Sequence, residues 1–154
     1  MLAQLSLFVH IVAAIVLLGG VMGVNLLGGL ARAAPDLERR RSIVSLGPSF
    51  ERMITFGAAL SIVTGLVTLV LFGYPITDLW VLATGAVLVV ITVIEAVYWP
   101  KVGPRVRDAL ERGDDAVALK LMRDPLSIAV SRFELVLGFV IVGLMVFRPG
   151  WPGA

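Results

Sequence analysis

The chain has 154 residues, 58% apolar and 16% charged, with a formal charge of +2 and a mean hydropathy of +0.98. A soluble domain carries about 45–50% apolar and about 25% charged residues, so water is excluded as the main solvent. The small net charge excludes a nucleic-acid partner, and the lack of cysteine excludes disulfides, thiolate metal centres and cysteine nucleophiles.

The first apolar stretch, Leu2–Leu30, has no lysine or arginine before Arg32. A cleaved signal would show a basic start and an apolar run of roughly 7–15 residues, so this stretch is expected to stay as a membrane helix. It carries His10, the only histidine, in its outer half. Ala13, Ala14 and Leu17 follow on the same face at 100° per residue, and Asn25 returns near it. Small neighbours would let a helix or a flat cofactor approach the ring. His10 then reads as an axial haem ligand or a proton-relay group, or as a neutral imidazole bonded to Thr64, Thr68 or Thr84. Gly19 and Gly23 form a small-xxx-small pair pointing nearly opposite to His10, so they are expected to contact another helix or a second copy.

A basic loop, 31–52, follows, with Arg32, Arg39, Arg40, Arg41 and Arg52. The second stretch, Met53–Phe72, carries Gly57, Ser61, Thr64, Gly65 and Thr68 at three- and four-residue spacing. This stripe suits close helix packing and could also wall a cofactor slot. The turn from Gly73 to Asp78 has no basic residue.

The third stretch, Leu79–Trp99, ends near Glu95. A second basic loop, 100–125, holds Lys101, Arg105, Arg107, Arg112, Lys120 and Arg123. Within it, Arg105 to Arg112 and Asp114 to Met122 read as short helices, with Gly113 as a stop and Asp114 as a cap. Val117, Leu119, Leu121 and Met122 give the second one an apolar side, for a membrane interface or as part of a solvated connector. The fourth stretch, Leu126–Phe147, carries Arg132 and Glu134. These lie about 200° apart and do not pair within the helix, so Arg132 is expected to reach Glu95 or to snorkel. Asn25, Glu95, Arg132 and Glu134 end near one depth and form a candidate polar cluster.

Each stretch crosses a core of roughly 30 Å at about 1.5 Å per residue. The expected fold is all-α, a four-transmembrane-helix bundle forming one domain over residues 1–154. Both basic loops fall on the cytoplasmic side by the positive-inside rule, and both termini outside. Tyr74 and Trp80, Tyr98 and Trp99, and Trp151 are expected at the headgroup level. Arg52-Met53 and Arg132-Phe133, each opening a helix after a basic loop, form a faint internal echo that fits two related helix hairpins.

The segment Phe8-Val9-His10-Ile11-Val12-Ala13-Ala14-Ile15, followed by Gly19-Gly20, resembles the first helix of a bacterial family of predicted integral membrane proteins. Thr64-Gly65-Leu66 is similar to that pattern as well. The family resembles the copper-resistance-D membrane domain and the membrane-bound protoporphyrinogen oxidases. That resemblance implies haem b at His10, in the bacterial inner membrane. The oxidases also use a second-helix lysine. Here the only lysines are Lys101 and Lys120, so a protoporphyrinogen-oxidase-like activity is the least favoured of the expected readings. One histidine gives one axial bond per chain, and a second must come from another group or copy. A homodimer or a larger membrane complex is the expected assembly. A cofactor-free structural or assembly subunit is the competing reading.

Overall fold

A computed structural model describes residues 1–149, which leaves the expectation for Trp151 outside the described residues. The described residues form seven helices: α1 Leu2–Ala33, α2 Leu37–Val44, α3 Gly47–Phe72, α4 Leu79–Val97, α5 Trp99–Glu111, α6 Asp115–Met122 and α7 Pro125–Phe147. Four helices are long and apolar enough to cross a membrane. They contain α1, α3, α4 and α7. Residue 1 and the end of α7 lie at one end of the bundle with the 73–78 turn. The opposite end carries α2, α5 and α6.

The tightest contact in the molecule joins α1 to α3. These helices run antiparallel, and their facing residues are Ser6 with Thr68, His10 with Ser61 and Thr64, Leu17 with Gly57, and Gly20 with Ile54. On α3 the seam reads 50, 54, 57, 61, 64, 68, alternating steps of four and three. That 3.5-residue period keeps one stripe against a partner along several turns. Backbone meets backbone at its centre. A Cβ on Gly57 would lie 2.6 Å from the Leu17 amide nitrogen, and one on Gly20 would lie 2.9 Å from the Ile54 nitrogen. Small residues allow such approach, and dispersion contacts rather than hydrophobic transfer hold helices together in lipid.

Gly19 and Gly23, expected to contact a helix other than the one at His10 or a second copy, do contact another helix within the chain. Both meet α3, the helix that also contacts His10. The Phe50 ring covers Gly23 and the Met53 methyl lies 3.7 Å from a Cβ placed on Gly19. Counting 100° per residue puts these glycines away from His10. It does not allow for long side chains that reach around α1 from the edge of the seam.

The second hairpin is looser. Tyr98 Oη lies 2.8 Å from Ser127 Oγ, which ties α4 to α7 at the arginine-rich end. Gly85 of α4 has nothing within 4 Å of an added Cβ. The two hairpins are therefore unequal in packing. α7 reaches back to α1 through Leu18, which would lie 2.9 Å from a Cβ on Gly138, and through Asn25.

The most densely buried apolar cluster lies outside the spans. Val106, Ala109, Leu110 and Ala118 are buried, with Leu37, Val44, Val102, Leu121 and Met122 packed around them. So α6 lays part of its apolar side, Ala118, Leu121 and Met122, on α5. Val117 alone of its larger apolar residues is left well exposed. α5 starts at Trp99, six residues before the expected start, because Tyr98 stays in the right-handed helical region and Pro100 sits in the first turn, where its missing N–H costs little. Gly113 takes φ +80° and stops it, and Asp114 accepts the Val117 N–H at 3.1 Å to open α6. α3 likewise starts at Gly47, with Pro48 in its first turn.

Candidate functional site: the His10 junction between two helices

His10 is 9% exposed, in the α1–α3 seam. Its Nδ1 lies 2.9 Å from the Ser61 carbonyl oxygen. A carbonyl only accepts, so Nδ1 carries the proton in the neutral ring. Thr64 Oγ1, at 3.4 Å, is a second acceptor, because its own hydroxyl donates to Leu60 O at 2.6 Å. The ring lies against Gly65, where a Cβ would come 3.0 Å from Cε1 and 3.9 Å from Nε2. Nε2 itself makes no hydrogen bond with any described residue, and it is not among the side-chain atoms sealed from the surface. The junction therefore presents one imidazole lone pair, fixed in tautomer and ring plane by α3.

One helical turn toward the termini, Ser6 Oγ lies 2.8 Å from Thr68 Oγ1. Thr68 donates to Thr64 O at 2.7 Å, so Ser6 is the donor to Thr68. Thr84 is buried but bonds its own helix, through Trp80 O at 2.7 Å. Of the three threonines expected near His10, only Thr64 meets it. The main acceptor is a backbone carbonyl, which residue identities do not reveal.

The family described as a predicted integral membrane protein (DUF2269) matches the chain over residues 4–149. The chain belongs to this family. No curated protein and no solved structure matches it. Membership covers His10, both hairpins and the arginine-rich cap together.

The expected polar cluster at the arginine-rich end is divided. Asn25 donates to Val21 O at 3.0 Å and accepts from Ser131 Oγ at 2.8 Å, joining α1 to α7. Glu134 is buried, and its Oε2 accepts the Trp99 indole N–H at 2.8 Å. Its Oε1 is sealed and has no partner among the described residues. Glu95 and Arg132 are both exposed and form no ion pair with each other. The expected Glu95–Arg132 pair is thus replaced by Trp99–Glu134. The α4–α5 break at Tyr98 turns the indole toward α7, and a one-dimensional helix count cannot anticipate that turn. Trp99→Phe leaves Glu134 without its donor, and we expect a loss of about 1–3 kcal/mol, read as a lower melting temperature in detergent.

The arginine-rich end holds a residue whose role the loop sequence conceals. Arg40 is 2% exposed. Its Nε donates to Ala31 O at 3.0 Å and one terminal nitrogen to Ala34 O at 2.7 Å, so it caps the last carbonyls of α1. Its other terminal nitrogen pairs with Asp115 at the start of α6. Arg41 donates to Leu110 O near the end of α5. The signal is the α2 face Leu37, Arg40, Arg41, Val44, which has helical spacing and two apolar ends. A count of arginines per loop passes over it.

At the other end, Tyr74 stacks on Phe72 at 5.7 Å and meets Trp80 edge-on at 5.6 Å, with the Arg148 guanidinium 4.8 Å above Tyr74. Trp80 is buried against its neighbours at this end. Among the described residues, no group of three or more histidine, cysteine, aspartate or glutamate side chains could hold a metal ion.

Proposed function

We propose that this integral membrane protein binds haem b, with His10 Nε2 as an axial ligand. The observation that supports the reading is the Nδ1–H bond to Ser61 O. Metal-bound histidines typically donate their other ring N–H to a carbonyl or carboxylate, which fixes the tautomer and raises the basicity of the ligating nitrogen. The donor set fits one bond to a porphyrin iron. A free imidazole lone pair facing hydrocarbon is costly without a partner, and iron supplies one. Gly65 lets the ring lie close against α3, where a larger side chain would press on it.

The same reading places the protein in the bacterial inner membrane, with the arginine-rich cap in the cytoplasm and both termini outside. It also proposes kinship with the copper-resistance-D membrane domain and the membrane-bound protoporphyrinogen oxidases, for which the His10 segment is the support. A second axial ligand would come from another group or from a second copy in a dimer.

The test is purification in mild detergent from haem-sufficient cells, followed by an absorption spectrum. The expected result is a Soret band that His10→Ala abolishes while the folded protein persists. A colourless wild-type protein overturns the proposal. The competing reading, a cofactor-free structural or assembly subunit, is favoured by the way Ser61 and Gly65 already hold the ring as a tie between helices. It predicts a colourless protein that co-purifies with stoichiometric partners.

A further inference from the structure

A groove of about 450 Å³ opens where α1 leaves its apolar span. It is lined by Leu30, Ala33 and Pro35 from the end of α1 and just after it, and by Arg39, Ser42, Ile43 and Leu46 from α2 and just after it. Leu30 and Leu46 keep about half of their surface exposed, 49% and 52%. Water is a poor neighbour for them, and the end of a lipid chain is a good one.

The rim is cationic and unused. Asp36 spends a carboxylate oxygen on the Arg39 backbone N–H at 2.8 Å, as the cap of α2. The Arg39 guanidinium makes no hydrogen bond or ion pair with any described residue, and neither does the Ser42 hydroxyl. The ion pairs among the described residues lie elsewhere, at Arg40–Asp115 and Arg107–Glu51. Glu38 precedes Arg39 on α2 and is turned about 100° away from it. The three neighbouring arginines of α2 thus divide their work. Arg40 and Arg41 are spent on helix ends, and Arg39 is left at the mouth of an apolar groove.

We propose that this groove binds one anionic phospholipid. Its phosphate meets the Arg39 guanidinium and the Ser42 hydroxyl, and the start of an acyl chain runs along Leu30, Ile43 and Leu46. Charge complementarity selects the occupant, because an arginine fork matches phosphate oxygens and an unpaired cation at the bilayer boundary favours an anionic headgroup. The volume accepts a headgroup, glycerol and the first methylenes, and the remainder of the chains continues into the bilayer. The phosphate chemistry is shared by free phosphate, so the apolar wall is the discriminating part.

The test is native mass spectrometry of the full chain released from a neutral detergent, after adding phosphatidylglycerol, phosphatidylcholine or inorganic phosphate. One phosphatidylglycerol per chain is expected at low lipid ratios, with weak phosphatidylcholine binding and no retained phosphate. Arg39→Gln is expected to lower phosphatidylglycerol occupancy roughly tenfold, by removing a charge-assisted contact. Ala33→Trp fills the apolar wall and is expected to lower it comparably. Both positions are exposed, and glutamine keeps the backbone N–H that caps α2, so unchanged melting temperatures check the fold. Arg52→Gln is the control, since Arg52 turns back onto Pro48 O outside the groove. An equal loss with Arg52→Gln overturns the proposal. So does phosphatidylcholine binding as well as phosphatidylglycerol, saturation by free phosphate alone, or an Ala33→Trp variant that binds normally.

Discussion

Gly57→Leu is expected to push α1 away from α3 and to cost about 3 kcal/mol or more, the upper end for overpacking a tight contact. The first added carbon would already lie 2.6 Å from Leu17 N and 2.8 Å from Leu17 Cα. Backbone cannot rotate out of the way as the end of a side chain can, so the whole seam has to open. The Nδ1 bond of His10, one helical turn away along α3, would lengthen with it. Two measurements check this. The melting temperature in detergent should fall well below that of Gly85→Leu, since Gly85 has nothing within 4 Å of an added Cβ. A disulfide between Ser6→Cys and Thr68→Cys, placed where two hydroxyls now sit 2.8 Å apart, should form readily in the parent and slowly with Gly57→Leu. Equal stability of the two leucine variants would show that the glycine seam does not hold the hairpin.

Arg40→Met should produce the second large effect, about 3 kcal/mol, at the opposite end of the molecule. Methionine keeps much of the side-chain volume and removes every donor. The Ala31 and Ala34 carbonyls then lose their cap, and Asp115 loses its cation. Asp115→Asn should cost less. The Asp115 side chain is 39% exposed against 3% for Arg40, so water replaces part of what Asp115 loses. The readout is proteolysis of the 31–52 and 100–125 segments beside the melting curve. The cap should become cleavable in Arg40→Met before the spans unfold, because its apolar cluster is separate from the α1–α3 seam. A cap that resists protease as well as the parent would remove Arg40 from its structural role.

Most of the architecture was legible from local composition. An apolar run of some twenty residues has one inexpensive solution in lipid, a helix with every backbone group paired internally. The stripe from Gly57 to Thr68 announced a packed face, because small residues serve little else in hydrocarbon. Gly113 and Asp114 marked the α5–α6 junction through local backbone preference, and it lies where those preferences place it. Helix starts were less legible. α3 begins at Gly47, before its apolar residues, and α5 begins at Trp99, each with a proline in its first turn.

The sequence by itself determined the solvent, the number of spans and the residues with chemistry to offer, His10 first among them. These follow from side-chain transfer energies and backbone preferences, which are properties of short segments. Only the tertiary structure decided who meets whom. Gly19 and Gly23 turned to α3, Glu134 went to Trp99 rather than joining Arg132 and Glu95, and one arginine in a run of three was buried as a helix cap. Each outcome depends on how far a side chain reaches and how two helices lie, which no short segment settles by itself.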